Sequence, residues 1–333
     1  MRFAEKVALG YAYGTSLLAW MVDGPPRPFS ATFAVTNRCN LRCSYCNCPS
    51  LDPTHLDLAR VDVLFDRLRA LGVRRLGLAG GEPMLRRDLP DMIAAAKRRG
   101  LWVSVNSNLT LFARHPGRLA GADLVYTSLD GEEDAHVAAR GDGAHDGVLD
   151  AIGRLVRGGT PVIAICVVTE HSTTQLPALF RQADALGFRL HFQPQCTDAE
   201  IVRGAVTVPN DALRAFWREL VAEKRRGRPI VSSTAYLETL AAWDDFGVSA
   251  YTEPGTRCAA GHGFLYVDPL GRAHPCAYTK GKTAPVDLLA DDWRATWSRD
   301  TPCTRCSVGP MLEFNLLFQR PLASALASAR TYG

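Results

Sequence analysis

The chain has 333 residues, 47% hydrophobic and 22% charged, a balance that can bury a substantial core and excludes extensive disorder. Its 38 Lys and Arg against 34 Asp and Glu leave a formal net charge of +4, spread through segments such as 67–75 and 97–99 rather than clustered, which excludes a nucleic-acid partner. Seven of the ten cysteines fall at metal-like spacings, which favours a reducing cytoplasm over a disulfide scaffold.

In chain order, the first element is an uncharged run at 7–22. It is shorter than a bilayer span and is followed by no small-residue cleavage site before Pro25 and Pro26. Two readings stand for it: a helix packed under the fold or at a subunit contact, or an interfacial membrane helix with 312–326 as a second apolar contact. From Phe29 onward, short apolar runs alternate with amphipathic helices, the pattern of repeated parallel βα units. Strands are predicted at 31–36, 75–79, 102–106, 124–129, 161–168 and 189–193. The stripes Val61, Leu64, Phe65, Leu68, Leu71 and Leu176, Leu179, Phe180, Ala183 give the intervening helices a face for the sheet. Six such units curl into part of a barrel, whose strand C-terminal ends carry reactive groups. Two more helices are expected at 210–224 and 234–245, before the pattern changes at Pro254 and Gly255.

The loop after the first strand holds Cys39, Cys43 and Cys46. This C-x3-C-x2-C spacing offers three thiolates, enough for three irons of a [4Fe-4S] cube with the fourth left open. A closed zinc site that recruits Cys48 is the competing reading. Gly80-Gly81-Glu82-Pro83 follows the second strand, Ser107-Asn108 the third, and Ser128-Leu129-Asp130-Gly131 the fourth. Near the C-terminus, two apolar runs flank an Asp268-Pro269-Leu270-Gly271 turn, so a β-hairpin would bring Cys258 to Cys276, with Cys303 and Cys306 following. Taken alone, these four thiolates suit zinc as well as an iron-sulfur cluster.

The cysteine loop, with Tyr45 directly before its third cysteine, and the Gly-Gly-Glu-Pro turn together resemble the radical S-adenosylmethionine (radical SAM) superfamily. The resemblance implies an α/β fold: a partial (β/α)6 TIM-like barrel over 29–230, an N-terminal apolar helix over 1–28, and a small C-terminal α+β domain of hairpin and helix over 231–333. It implies a [4Fe-4S] cluster on Cys39, Cys43 and Cys46 whose open iron binds S-adenosylmethionine. It also implies reductive cleavage to a 5'-deoxyadenosyl radical that takes hydrogen from a substrate C–H bond. By motif match, Gly80, Gly81 and Glu82 hold the amino group, Ser128 and Asp130 reach the ribose or the methionine part, and Tyr45 lies against adenine. Arg140 either pairs the methionine carboxylate or makes a surface salt bridge. Asn108 stands at a cofactor-contact position, although Leu109 replaces the glycine usual after it, and Gln193 is expected at the adenine edge. The C-terminal cysteines resemble a SPASM domain in its shortened twitch form. That implies an auxiliary [4Fe-4S] cluster on Cys258, Cys276, Cys303 and Cys306 that carries an electron, a purely structural role being the competing reading.

The leading functional expectation is therefore an oxidoreductase-like enzyme that abstracts hydrogen and completes an oxidation or a bond formation, fed by an external donor such as flavodoxin or ferredoxin. Cluster spacing is nearest to twitch enzymes that dehydrogenate a small aminocyclitol alcohol. Peptide modification comes second, because the segment before Phe29 is short for a peptide-recognition domain, and lipid or isoprenoid modification third. A non-enzymatic iron-sulfur electron carrier would have no use for an open iron. No side chain stands out as catalytic acid or base: His191, His262, His274, Tyr251 and Glu253 read as structural, and Cys166 as a buried apolar residue.

Overall fold

The alternation of strand-like and helical periods sets the architecture of the chain, and the computed structural model describes it for residues 3–145, 147–294 and 301–319. The elements run α1 (Phe3–Met21), β1 (Ser30–Thr36), α2 (Leu58–Leu71), β2 (Arg75–Gly80), α3 (Leu89–Arg98), β3 (Trp102–Asn106), β4 (Leu124–Ser128), α4 (Glu133–Arg140), α5 (Val148–Arg157), β5 (Val162–Val168), α6 (Leu176–Leu186) and β6 (Arg189–Pro194). Then follow α7 (Asn210–Arg225), α8 (Thr234–Ala241), β7 (Ala250–Tyr251), β8 (Phe264–Val267), β9 (Arg272–His274), β10 (Val286–Asp287), β11 (Arg305–Cys306) and α9 (Gly309–Gln319). β1 to β6 pair in parallel in sequence order, as expected for a partial barrel. Alternate residues of these strands, Phe33, Val35, Leu76, Leu78, Val103 and Val105, join Val61, Leu64, Phe65 and Leu68 of α2 in one buried core. Asp57 caps α2 by accepting the Arg60 N–H at 2.8 Å.

The predicted hairpin forms, and it does more than approach Cys258 to Cys276. β8 lies parallel to β1, with Ser30 opposite Phe264 and Phe33 opposite Val267, and β9 and β10 continue outward from it. One sheet of nine strands therefore runs unbroken across residue 231. β7 and β11 form a separate two-stranded antiparallel pair. The helix expected over 234–245 stops at Ala241. The Trp243 indole N–H there donates to the Asp245 and Val248 carbonyls, and the Asp245 carboxylate accepts from Gly247 and Asn210, which closes a turn.

α1 packs one face into the molecule: Tyr13 donates to the Leu317 carbonyl at 2.6 Å, and Tyr13 and Trp20 meet Phe318 edge-on. Its other face leaves Val7, Tyr11, Leu18 and Met21 each more than half exposed. Among the described residues, no helix is long and apolar enough to cross a membrane. The second apolar segment expected at a membrane turns Leu312, Leu316 and Phe318 into the core, Gln319 is exposed, and 320–326 lie outside the described residues.

Candidate active site

The cysteine loop springs from the end of β1 and is tied down at several points. Cys46 N–H donates to the Cys43 carbonyl at 3.1 Å, which closes the turn, and Leu41 N–H points at Cys39 Sγ at 3.5 Å. Ser44 donates to the Ala139 carbonyl through both its N–H and its hydroxyl, which fastens the loop to α4. Cys39, Cys43 and Cys46 pack together with Leu41, Tyr45 and Ala144. Burial pushes the Cys39 thiol up to about 11 and raises Cys43, while the thiol of Cys48, hydrogen-bonded to Cys46, brings Cys46 down to about 6.

β2 delivers the Gly-Gly-Glu-Pro turn against this loop. Gly80 has φ +117°, and a Cβ there would lie 2.3 Å from the Thr36 carbonyl oxygen; one on Gly81 would lie 2.2 Å from that of Arg38 and 2.6 Å from that of Asn37. The close approach these glycines permit is therefore to the backbone entering the cysteine loop, sealed by Gly81 N–H to Thr36 O and Glu82 N–H to Arg38 O, both 2.8 Å. The Glu82 carboxylate has no exposed surface. It accepts Met84 N–H and the Ser107 hydroxyl at 2.8 Å on one oxygen and Asn108 N–H at 2.7 Å on the other, and burial raises it to about 7. Asn108 reaches back to the cysteine loop, donating to Asn40 Oδ1 at 3.0 Å. Leu109 holds φ +61°, so the position keeps the left-handed backbone of the glycine it replaces, at a cost of roughly 1–2 kcal/mol.

Asp130, past β4, is fully buried and accepts from Val167 N–H at 3.0 Å and from Nε and Nη2 of Arg140. Arg140 is thus no surface ion pair: it is 6% exposed, and its guanidinium lies 5.5 Å from the centroid of the Tyr45 ring. Among the described residues, the buried Tyr45 hydroxyl has no hydrogen-bond partner. Asp130 N–H donates to His136 Nδ1 at 3.1 Å, which puts the proton of that ring on Nε2, and burial holds His136 down to about 4. Ser128 ends β4, half-buried. Gln193, the last but one residue of β6, lies against the start of α9, where a Cβ on Gly309 would come 2.9 Å from Gln193 Oε1. Tyr45, Asp130 and Arg140 are therefore one group, Gly80, Gly81, Glu82 and Asn108 a second on the same loop, and Gln193 packs apart against α9.

The C-terminal cysteines also converge. Cys258, Cys276 and Cys303 share a buried cluster with Phe29, Phe264, Tyr278 and Phe318, and Cys306 stands within electrostatic reach of all three. Burial drives these thiols up, Cys276 to about 12 and Cys303 to about 11. Cys258 donates to Asn315 Oδ1 at 3.4 Å and receives Ala260 N–H at 3.4 Å. Among the described residues, no three His, Cys, Asp or Glu side chains meet closely enough to hold a single metal ion. Three or four clustered, largely buried thiols suit a cube of iron and sulfide, which meets its ligands at separate corners. Cys166 is fully buried in the core, as its sequence context predicts.

Sequence reasoning missed Ser107, His136 and Asn315 as partners of the named residues. Ser107 sits beside a named residue at a strand end, which is a usable signal; Asn315, on an apolar helix, has only its polarity.

Residues 33–182 match the sequence profile of the radical SAM superfamily. The chain is 28% identical over 273 residues to the PqqA peptide cyclase of Granulibacter bethesdensis, covering 75% of this chain and 67% of that protein. It is 29% identical over 313 residues to the PqqA peptide cyclase of Streptomyces rochei, covering 84% and 81%. The crystal structure of Streptococcus suis SuiB bound to S-adenosylmethionine shares the fold, with a TM-score of 0.68 at 15% identity over 86% of this chain and 69% of that one.

Proposed function

The chain belongs to the radical SAM superfamily, and on that premise we propose that it is a peptide-modifying enzyme whose reaction starts at Cys39, Cys43 and Cys46. Like other members, it uses a [4Fe-4S] cluster and S-adenosylmethionine; the chemistry they supply when bound is reductive cleavage to a 5'-deoxyadenosyl radical, which abstracts hydrogen from a substrate C–H bond. The observation that carries the assignment of the site is the seal between the two motif loops, Gly81 N–H on Thr36 O and Glu82 N–H on Arg38 O, beside three clustered thiols. A peptide substrate, in place of the aminocyclitol-like small molecule favoured by cluster spacing, is supported by the two relatives named as peptide cyclases, each matched over most of this chain.

In this reading Cys39, Cys43 and Cys46 bind the cluster. Glu82, lined up by Ser107, Met84 and Asn108, faces the amino group, with Gly80 and Gly81 holding its turn to the loop. Asp130 orients Arg140, and Arg140 fixes the plane of Tyr45 on which adenine rests. Ser128 borders the ribose, and Gln193 meets adenine from the α9 side. Cys258, Cys276, Cys303 and Cys306 would hold an auxiliary cluster, which would supply a place for the spare electron of the oxidation, and an outside donor of the flavodoxin or ferredoxin kind would supply the first one. Ten free cysteines suit a reducing cytoplasm. The exposed stripe of α1 favours one further reading, contact with a membrane surface: co-sedimentation with liposomes, lost in Leu18→Glu, would support it, and absence of wild-type binding would remove it.

The test is anaerobic reconstitution. About eight irons per chain, with 5'-deoxyadenosine formed by the wild type and not by Cys43→Ala, are expected. Deuterium should enter the 5'-deoxyadenosine from a deuterated peptide fraction of the producing cells; entry from the small-molecule fraction alone would remove the peptide assignment, and no cleavage by the wild type would remove the whole reading.

A further inference from the structure

The segment after β6 crosses to the cysteine loop, where one side chain does most of the holding. Arg203 donates from Nη2 to the carbonyl oxygens of Arg42 and Cys43 at 3.2 and 2.9 Å, and from Nε to that of Ser44 at 3.3 Å. Its own N–H donates to the Tyr45 carbonyl at 3.1 Å. Val202 forms a bridge with Cys46, and Asn47 bonds both Ile201 O and Glu200 O at 3.0 Å. At its other side the same segment is fastened to the residues that follow Cys276: Lys280 to Glu200 at 2.9 Å and Lys282 to Asp198 at 2.7 Å. Residues 198–203 thus form a strap between the two cysteine segments.

Resting on the reading of Cys39, Cys43 and Cys46 as cluster ligands, we propose that Arg203 is a positioning residue for that cluster, clamping the turn through three consecutive carbonyls and placing a positive charge beside Cys43. Only a forked cation can do both. The guanidinium is planar, always charged and able to serve several carbonyls in fixed directions, whereas a lysine brings the same charge from a single mobile point. The clamp keeps the turn from opening when the thiols are unligated. The charge, held against the Cys43 and Ser44 carbonyls, favours the more negative, reduced state of the cluster and so raises its potential, by an amount that shrinks with added salt because the side chain is exposed.

The experiment compares wild type, Arg203→Gln and Arg203→Lys in the full chain, with folding checked by circular dichroism. Redox titration followed by electron paramagnetic resonance should give a lower potential for Arg203→Gln than for wild type, with Arg203→Lys close to wild type, and iron loss to a chelator should be several-fold faster in both variants. Iron-free protein supplies a separate readout: Cys43 and Cys46 should alkylate several-fold faster in Arg203→Gln than in wild type. Unchanged potential, iron retention and alkylation overturn the proposal, and so does a potential in Arg203→Lys as low as in Arg203→Gln combined with unchanged alkylation. A wild type that takes up no iron overturns the functional reading instead, and the alkylation rates still decide the clamp.

Discussion

Glu82 is a carboxylate without exposed surface, surrounded by donors rather than by a fixed cation, and this makes it both a structural tie and a titrating group. Replacing it with Ala would leave the Met84 and Asn108 N–H groups and the Ser107 hydroxyl without their acceptor. At roughly 1–3 kcal/mol for each buried orphan, a loss of about 3 kcal/mol or more is expected, read from urea unfolding of the iron-free protein. Its pH dependence has a definite sign. Because burial raises Glu82 from 4.5 to about 7, the folded state holds its proton more tightly, so this contribution is complete below pH 4.5 and is lost as pH rises to 7. Wild type should therefore weaken relative to Glu82→Gln across that window, on the order of 3 kcal/mol, and run level with it above; a flat difference would contradict the burial argument. His136 and His191, held to about 4 by burial, act in the opposite direction, and their contribution falls as pH drops from 6.5 to 4. The importance of Glu82 is legible in its motif. That Ser107 and Asn108 donate to it is not, because they arrive from the next strand.

At the scale of elements, the strands lie within two residues of their predicted bounds because half-buried alternation is a local pattern; α6 buries the whole stripe read from sequence, and α2 all of its stripe but Leu71, which is half-buried. α8 ends early because a tryptophan and an aspartate satisfy a turn there, a competition that helical periodicity does not report. The contact between the β2 exit and the cysteine loop is tight enough to predict from. In Gly81→Ala the new Cβ would meet two backbone carbonyls, which cannot rotate away, so the loops must part. Reconstituted Gly81→Ala is expected to lose most of its iron at the first site while keeping its far-ultraviolet circular dichroism; wild-type iron content would show that the loops part without cost. Arg140 carries a related lesson. The surface salt bridge foreseen for it required an exposed guanidinium, yet α4 turns it inward onto Asp130 and the face of Tyr45.

For the whole molecule, the pairing of β8 with β1 joins the hairpin that ends near Cys276 to the strand that leads to Cys39. A chain divided at 231 into independently stable parts would unfold in two steps, whereas one shared sheet should unfold in one. We expect a single calorimetric transition for the iron-free protein, moved as a unit by Val267→Ala, whose side chain is fully buried in the barrel core; two separable transitions would favour the division. The expected loss for that truncation is about 1–3 kcal/mol. The sequence by itself determined the order of βα units, the two cysteine sets and the Gly-Gly-Glu-Pro turn, because periodicity and thiolate spacing are properties of short segments. Only the tertiary structure decided that the hairpin extends the barrel sheet, that Asp130 takes Arg140, and that a strap closes over the cysteine loop. Cys43 and Arg203 stand 160 residues apart, and only the tertiary fold, which no local period encodes, brings a donor so remote to a particular carbonyl.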